Sequence, residues 1–277
     1  MYSNDILVLF DWDGTVAHGT PMGHWGTCRI FEKYGLTPPE LEDYAAMDGL
    51  PFTEIVGALV PDTHQDLARI IPGETLAFLE LESANPDTEM PPITVIAGMP
   101  EAILGLKEKN HKTGIVTNRE GALLHSYDFR VIPEIGTTAF NAIVTGNQIK
   151  KPDPCAIWMA AEAADFHHGI IVMIGDTPTD IMAARNAGAV SIGVAFHHEE
   201  NPEKTARLMA ANPDEIIYSP DELIYAIETL AAKHPAQDWQ NRYDATSFST
   251  GAAGQHIRRG SGGGSGGAPG RRYSLVP

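Results

Sequence analysis

The sequence predicts an α/β protein: a doubly wound parallel sheet, with a helical insert placed directly after its first strand. Three observations carry that expectation. Short all-apolar runs recur along the chain, helical patterns separate the later ones, and residues 17–95 break the alternation with helix-like stretches and no good strand. Continuous apolar runs of about five residues suit strands buried on both faces. Strands alternating with helices wind into an open parallel sheet, whose ligands gather at the carboxyl ends of its strands.

The first run is Ile6–Phe10. Helix-like stretches follow over 25–34, 39–47, 53–59, 63–71 and 74–83, and the three prolines of 85–92 mark a return linker. Strands are then expected over 113–117, 142–145, 170–174, Val190–Val194 and 216–218, with helices over 100–109, 155–165, 180–187 and 220–232. Gly188 stands where a helix C-cap needs a left-handed residue. These boundaries assign 1–16 and 96–233 to an α/β core and 17–95 to a helical domain. Residues 234–259 are polar and carry no fold expectation. Residues 260–267 have the composition of a flexible Gly/Ser linker, read with 268–277 as a fusion or tag remnant, a natural disordered tail being the alternative.

The charge balance excludes some partners. Residues 1–233 hold 14 Lys and Arg against 34 Asp and Glu, a balance of −20. Such a surface repels nucleic acid and anionic membranes, although acidity also serves plain solubility. An anionic substrate would need local positive charge from a metal and a few placed cations. No run approaches the ~18 apolar residues of a membrane span, and no signal peptide is read at the N-terminus. Cys28 and Cys155 are too few for a disulfide framework or a zinc site. A cytoplasmic protein, monomer or homodimer, is expected.

Chemistry concentrates at Asp11-Trp12-Asp13-Gly14-Thr15, at the end of the first expected strand. Two carboxylates at i and i+2 converge on one site only where the backbone turns, and Gly14 permits the turn. Clustered carboxylates raise each other's pKa unless a cation neutralises them; a hard divalent ion with oxygen ligands, Mg2+ above all, suits them. Alone, the motif reads equally as part of a calcium loop or a turn. Three further pieces follow in order: Thr117-Asn118, with a hydroxyl and backbone N–H groups for an anion; Lys151-Pro152, a cation at a stiffened turn; and Asp176 to Asp180, opening a helix that Asp180 could also cap.

Together these pieces resemble the haloacid dehalogenase superfamily, with its Asp-x-Asp-Gly-Thr, Thr, Lys-Pro and Gly-Asp-x-x-x-Asp signatures, over roughly residues 5–230. The resemblance implies a Rossmann-like core, and the insert is similar to the helical cap of the phosphoglycolate phosphatase-like branch. It implies a Mg2+-dependent phosphatase that hydrolyses a small-molecule phosphate monoester through an aspartyl phosphate. Asp11 is then the nucleophile and a metal ligand. Asp13 is the general acid and base, and lends the metal its backbone carbonyl. Thr117 and the Asn118 backbone hold the phosphoryl group, Lys151 rather than Lys150 steadies phosphate and nucleophile, and Asp176 completes the metal site. Asp180 orients Lys151 or a metal-bound water, and Gly14 and Gly49 are expected near the phosphate or substrate.

Relatives with other chemistry fit less well. A phosphonatase has alanine at the position of Asp13 and a cap lysine, absent from the loop 47–52. A dehalogenase dispenses with the second Asp. A sugar phosphomutase shares all four motifs, and a non-catalytic scaffold of the same fold is the alternative of another class. The loop 47–52 is read either as a specificity loop dipping into the site or as an ordinary turn. His18, His24 and Trp25 are expected to line the cleft between cap and core, and His167-His168 and His197-His198 to be loop residues. Candidate substrates are phosphoglycolate, small sugar phosphates and nucleoside monophosphates.

Overall fold

The computed structural model describes residues 5–240 and 242, except 48, 49, 86, 130–134, 197 and 200. The chain opens with β1 (Ile6–Phe10) and the two-residue β2 (Ala17–His18), then passes through α1 (Thr20–Lys33), α2 (Leu41–Ala45), α3 (Phe52–Leu59) and α4 (Ile71–Ser83). It returns by β3 (Thr94–Val95) to α5 (Met99–Glu108), β4 (Lys112–Val116) and a helical turn, α6 (Gly121–Leu123), that runs into a π turn at Leu124–Asp128. Then follow β5 (Ala142–Val144), α7 (Cys155–Ala163), β6 (His168–Gly175), α8 (Pro178–Ala187), β7 (Val190–Val194), α9 (Pro202–Ala210), β8 (Glu215–Ile217), α10 (Leu223–Lys233) and β9 (Gln237–Asp238).

The parallel sheet runs β5-β4-β1-β6-β7-β8, and both faces are covered. Alternation along β1 shows why its run is unbroken: Ile6, Val8 and Phe10 pack on one side with α5 and α10, while Leu7 and Leu9 pack on the other with α7 and α8. Side chains of a strand point alternately to opposite faces, so burial of both faces requires apolar residues throughout. Each fully buried Leu, Ile or Val contributes about 1.5–3 kcal/mol of transfer free energy.

The helical insert has an apolar cluster of its own, in which Ile30, Phe31, Tyr44, Val56 and Ile71 meet. Four details differ from the sequence expectation. Helix α1 starts at Thr20 rather than 25, with Pro21 in its first turn, where proline's missing N–H costs nothing. The expected helix over 63–71 is two 3-10 turns, Asp62–His64 and Leu67–Arg69. Pro72 opens α4 instead and disfavours a helix running into it. The insert is not strand-free, since Ala17 and His18 pair antiparallel with Val95 and Thr94 where the chain enters and leaves it. Two residues are too few to display a period of two. Beyond α10, Asp238 and Gln237 pair with His168 and Gly169, so His168 lies in a strand rather than a loop. Trp239 is buried there, its Nε1 donating to Gly169 O at 3.1 Å.

Candidate active site

The central strand β1 is flanked by β4 and β6. Chain order grows outward from β1 through β4 to β5 on one side and through β6, β7 and β8 on the other. That reversal is the topological switch point, where sheets of this kind open a crevice beyond the strand ends. Asp11 is the first residue past β1, its N–H donating to Ile174 O at 2.8 Å. Thr117 directly follows β4, Asp176 directly follows β6, and Lys151 stands in the loop after β5. The parallel register that aligns Phe10 with Ile115 and Ile174 brings these residues level.

Lys151 is buried, with Nζ 2.7 Å from Asp11 Oδ1 and 2.6 Å from Asp180 Oδ1. Its main chain is clamped by the Asn118 side chain: Oδ1 accepts from Lys151 N at 2.8 Å and Nδ2 donates to Lys151 O at 3.4 Å. Asp180 divides its two oxygens. Oδ2 accepts from Thr177 N (3.0 Å) and Thr177 Oγ1 (2.6 Å), completing a capping box at the start of α8, while Oδ1 meets Lys151. Lys150 lies outside this group and pairs with Glu54 of α3 at 3.2 Å, both side chains exposed.

Asp176 accepts from Thr15 Oγ1 at 3.2 Å on Oδ1, and the Lys204 ammonium lies 2.5 Å from Oδ2. Gly14 has φ +79°, and a methyl group on it would overlap the Asp176 carboxylate, so conformation and space both require glycine. Thr117 Oγ1 accepts from Arg119 N at 3.0 Å. The Asp13 carboxylate turns to Arg119, with Nη1 at 3.2 and 3.4 Å from its two oxygens.

Burial above all, with Asp180 and Asp176 beside it and against the opposing pull of Lys151, pushes Asp11 up to about 8. Burial works against the Lys151 ammonium too, but Asp11 and Asp180 outweigh it and its pKa rises. Among the described residues, Asp11, Asp176 and Asp180 offer carboxylate oxygens within 4.8 Å of one another. Three converging hard oxygen donors against two ammonium groups, Lys151 and Lys204, leave negative charge in excess when all three carboxylates are ionised, and this donor set fits a hard divalent cation.

A cleft opens above these groups, polar on the sheet side, where Asp11, Asp13, Thr117 and Arg119 line it, and largely apolar on the insert side, where Tyr44, Leu50, Phe52 and Ile55 do. Gly49 and Asp48 lie outside the described residues, but the same loop delivers Leu50 and Phe52 to the cleft wall. His18 lines a second, more polar cleft beside Asp176, together with Asn201 and Lys204. The other two cleft expectations differ from the structure: Trp25 stacks on Phe78 at 5.3 Å, and His24 bonds Pro39 O at 2.8 Å. Both serve the insert's own packing. His167 rests on Asp165 and His198 on Ala195 O, and His197 lies outside the described residues.

Sequence reading missed Arg119 and Lys204. Arg119 had a signal, being a cation directly after Thr117-Asn118. Lys204 had none, since α9 carries no motif and its approach to Asp176 is purely tertiary.

Comparison with known proteins places this geometry. Residues 8–194 match the model of the haloacid dehalogenase-like hydrolases. The chain belongs to that family. Within the haloacid dehalogenase-like hydrolases it is similar to a phosphoglycolate phosphatase of Cereibacter sphaeroides, 24% identical over 229 residues that cover 73% of this chain and 99% of the relative. It is also similar to the pyrophosphatase PpaX of Listeria monocytogenes, 29% identical over 195 residues, 68% of this chain and 82% of that one. A crystal structure described as a predicted phosphoglycolate phosphatase from Haemophilus somnus shares the fold, with a TM-score of 0.65 at 14% identity, covering 82% of this chain and all of that one. This member of the haloacid dehalogenase-like hydrolases is therefore an enzyme of the hydrolase class with phosphatases among its relatives. No helix among its described residues is long and apolar enough to cross a membrane.

Proposed function

We propose that the protein is a Mg2+-dependent phosphatase of small phosphate monoesters, working through a phosphoryl group carried on Asp11. The observation that carries this reading is the buried Lys151 ammonium, 2.7 Å from Asp11 and 2.6 Å from Asp180, at the switch point of the sheet. A carboxylate is a competent nucleophile toward phosphorus only where positive charge lies between it and the anionic ester.

Asp11 Oδ1 accepts from Trp12 N–H at 2.7 Å and meets Lys151, so Oδ2 is the oxygen assigned to attack. It forms a bond to phosphorus as the ester oxygen departs, and Asp13 delivers a proton to that oxygen. Ionised Asp13 then takes a proton from water. The resulting hydroxide attacks the phosphorus and releases inorganic phosphate, restoring the Asp11 carboxylate. Thr117 and the Asn118 main chain face the transferring group from the end of β4. Lys151, steered by Asp180 and clamped by Asn118, neutralises charge beside Asp11. Asp11, Asp176 and the main-chain carbonyl of Asp13 would hold Mg2+, which when bound supplies charge neutralisation for the phosphoryl oxygens. The helical insert acts as a cap whose apolar wall selects the organic part of the ester and excludes water.

The test is phosphate release from an aryl phosphate, with Mg2+ or EDTA, beside Asp11→Asn and Asp13→Asn. Mg2+-dependent release that disappears in both variants supports the reading. Phosphorylation of Asp11 without phosphate release would favour a phosphomutase, and neither event would favour a scaffold.

A further inference from the structure

Arg119 belongs to none of the four motifs, yet it pairs with two carboxylates beside the cleft. Its side chain is 9% exposed and lies between two carboxylates. On one side Nη2 donates to Asp128 Oδ1 at 3.2 Å and Nε lies 2.6 Å from Asp128 Oδ2 as a charge contact without hydrogen-bond alignment, so one hydrogen bond and one ion pair tie the group to a fully buried carboxylate. On the other side Nη1 reaches both oxygens of Asp13. A planar guanidinium gripped along one edge presents its remaining N–H groups in a fixed direction.

Were Arg119 only a structural partner of Asp128, its bonding would end there. Instead the free edge holds a carboxylate that lines the cleft beside Asp11 and is one-third exposed. The chain also makes room for this contact. A methyl group on Gly19 would collide with both Asp13 Oδ1 and Arg119 Nη1. Asp13 stands on a turn after β1, where its side chain would otherwise sample several rotamers, and an acid–base group is effective only within hydrogen-bond reach of the reacting oxygen.

We infer that Arg119 is a positioning residue for Asp13, with Asp128 as its anchor and Gly19 as the space that admits the contact. The inference rests on Asp13 being the general acid and base. It assigns Arg119 no contact with the substrate.

The experiment compares Arg119→Met, Arg119→Lys, Gly19→Ala and Asp13→Asn on an alkyl phosphate and on p-nitrophenyl phosphate. Proton delivery matters most for a poor leaving group, so Arg119→Met is expected to lower kcat on the alkyl ester roughly 30-fold or more, a part of the roughly 100- to 10,000-fold that acid–base catalysis contributes, with little change in KM. On the aryl ester the first step survives while hydrolysis of the phosphorylated Asp11 slows. A burst of p-nitrophenol then precedes slow turnover, and phosphorylated protein accumulates. Arg119→Lys should restore part of the alkyl-ester rate. If Arg119→Met fails to fold because Asp128 loses its partner, Gly19→Ala, which crowds the contact between Asp13 and Arg119 and leaves the Asp128 partner in place, must show the same pattern. Equal losses on both esters without a burst, or an unchanged kcat, would overturn the inference while Asp13→Asn remains impaired. An unimpaired Asp13→Asn would instead remove the acid–base reading itself.

Discussion

The Lys204 ammonium lies 2.5 Å from Asp176 Oδ2, contributing from α9 a cation to a carboxylate that the proposed function gives to the metal. The position is anchored, because the Asn201 side chain caps α9 by accepting from Lys204 N–H at 3.1 Å. Lysine and Mg2+ both seek the same oxygen, so Lys204→Met is expected to tighten Mg2+ binding roughly tenfold, about 1.4 kcal/mol. Calorimetric titration of EDTA-treated protein measures this. Weaker binding in the variant would make Lys204 a helper of the metal site instead of a competitor.

The Asp11 carboxyl supplies a pH signature. Because burial raises it to about 8, the folded protein binds this proton more tightly than the unfolded chain does. A raised group stabilises the fold fully below its unfolded pKa, and that contribution is lost as pH rises through about 8. In EDTA, the melting temperature is therefore expected to fall between about pH 4 and about pH 8 and then level off, and Asp11→Asn should flatten the fall. Metal binding must expel the same proton, so Mg2+ affinity should climb with pH and level off above about 8. Proton release at pH 7, read from titrations in buffers of different ionisation enthalpy, checks the second half. No release would mean that the ion does not engage Asp11.

Asp180 serves two partners through two oxygens, and two substitutions separate them. Asp180→Asn keeps an oxygen for Thr177 N–H but loses the charge that faces Lys151. It should lower the melting temperature, because the buried Lys151 ammonium then keeps only Asp11 as a counter-charge, and lower kcat at least tenfold. Asp180→Ala loses the capping box as well, about 1 kcal/mol and so roughly 2–4 °C. Thermal denaturation beside steady-state kinetics distinguishes them. Full activity in Asp180→Asn would leave the residue with a capping role alone.

Much of this was legible in the sequence because it is written locally. The core strands announce themselves by unbroken apolar runs, and Asp11, Thr117 and Asp176 stand one residue beyond them. The helix-cap role of Asp180 is readable from its place at the start of a helix, whereas its link to Lys151 is implied only by the family resemblance. What escaped depends on distance along the chain. Lys204 reaches Asp176 from a helix 28 residues later, and Arg119 meets Asp13 across 106 residues. Neither contact leaves a periodic trace. The insert was harder than the core because short helices over 17–95 pack on their own small cluster, so their ends follow Pro21 and Pro72 more than any apolar period.

Leu50 offers the test of how the insert selects a substrate. It is 43% exposed yet lines the cleft opposite Asp11 and Thr117, so an ester whose organic group enters there would cover it. Covering a leucine's remaining apolar surface gains about 1–2 kcal/mol at ~25 cal/mol per Å2. Leu50→Ala is accordingly expected to raise KM roughly 5- to 30-fold for the preferred ester. Its kcat should stay close to that of the unaltered protein, because Asp11, Asp13 and Lys151 are untouched. On p-nitrophenyl phosphate, whose ring can settle against Tyr44 and Phe52, the loss should be smaller. A panel of phosphate esters measured on both proteins decides the matter. If Leu50→Ala lowers kcat on every ester alike, the loop acts in closing the site; an unchanged KM across the panel would make it an ordinary turn.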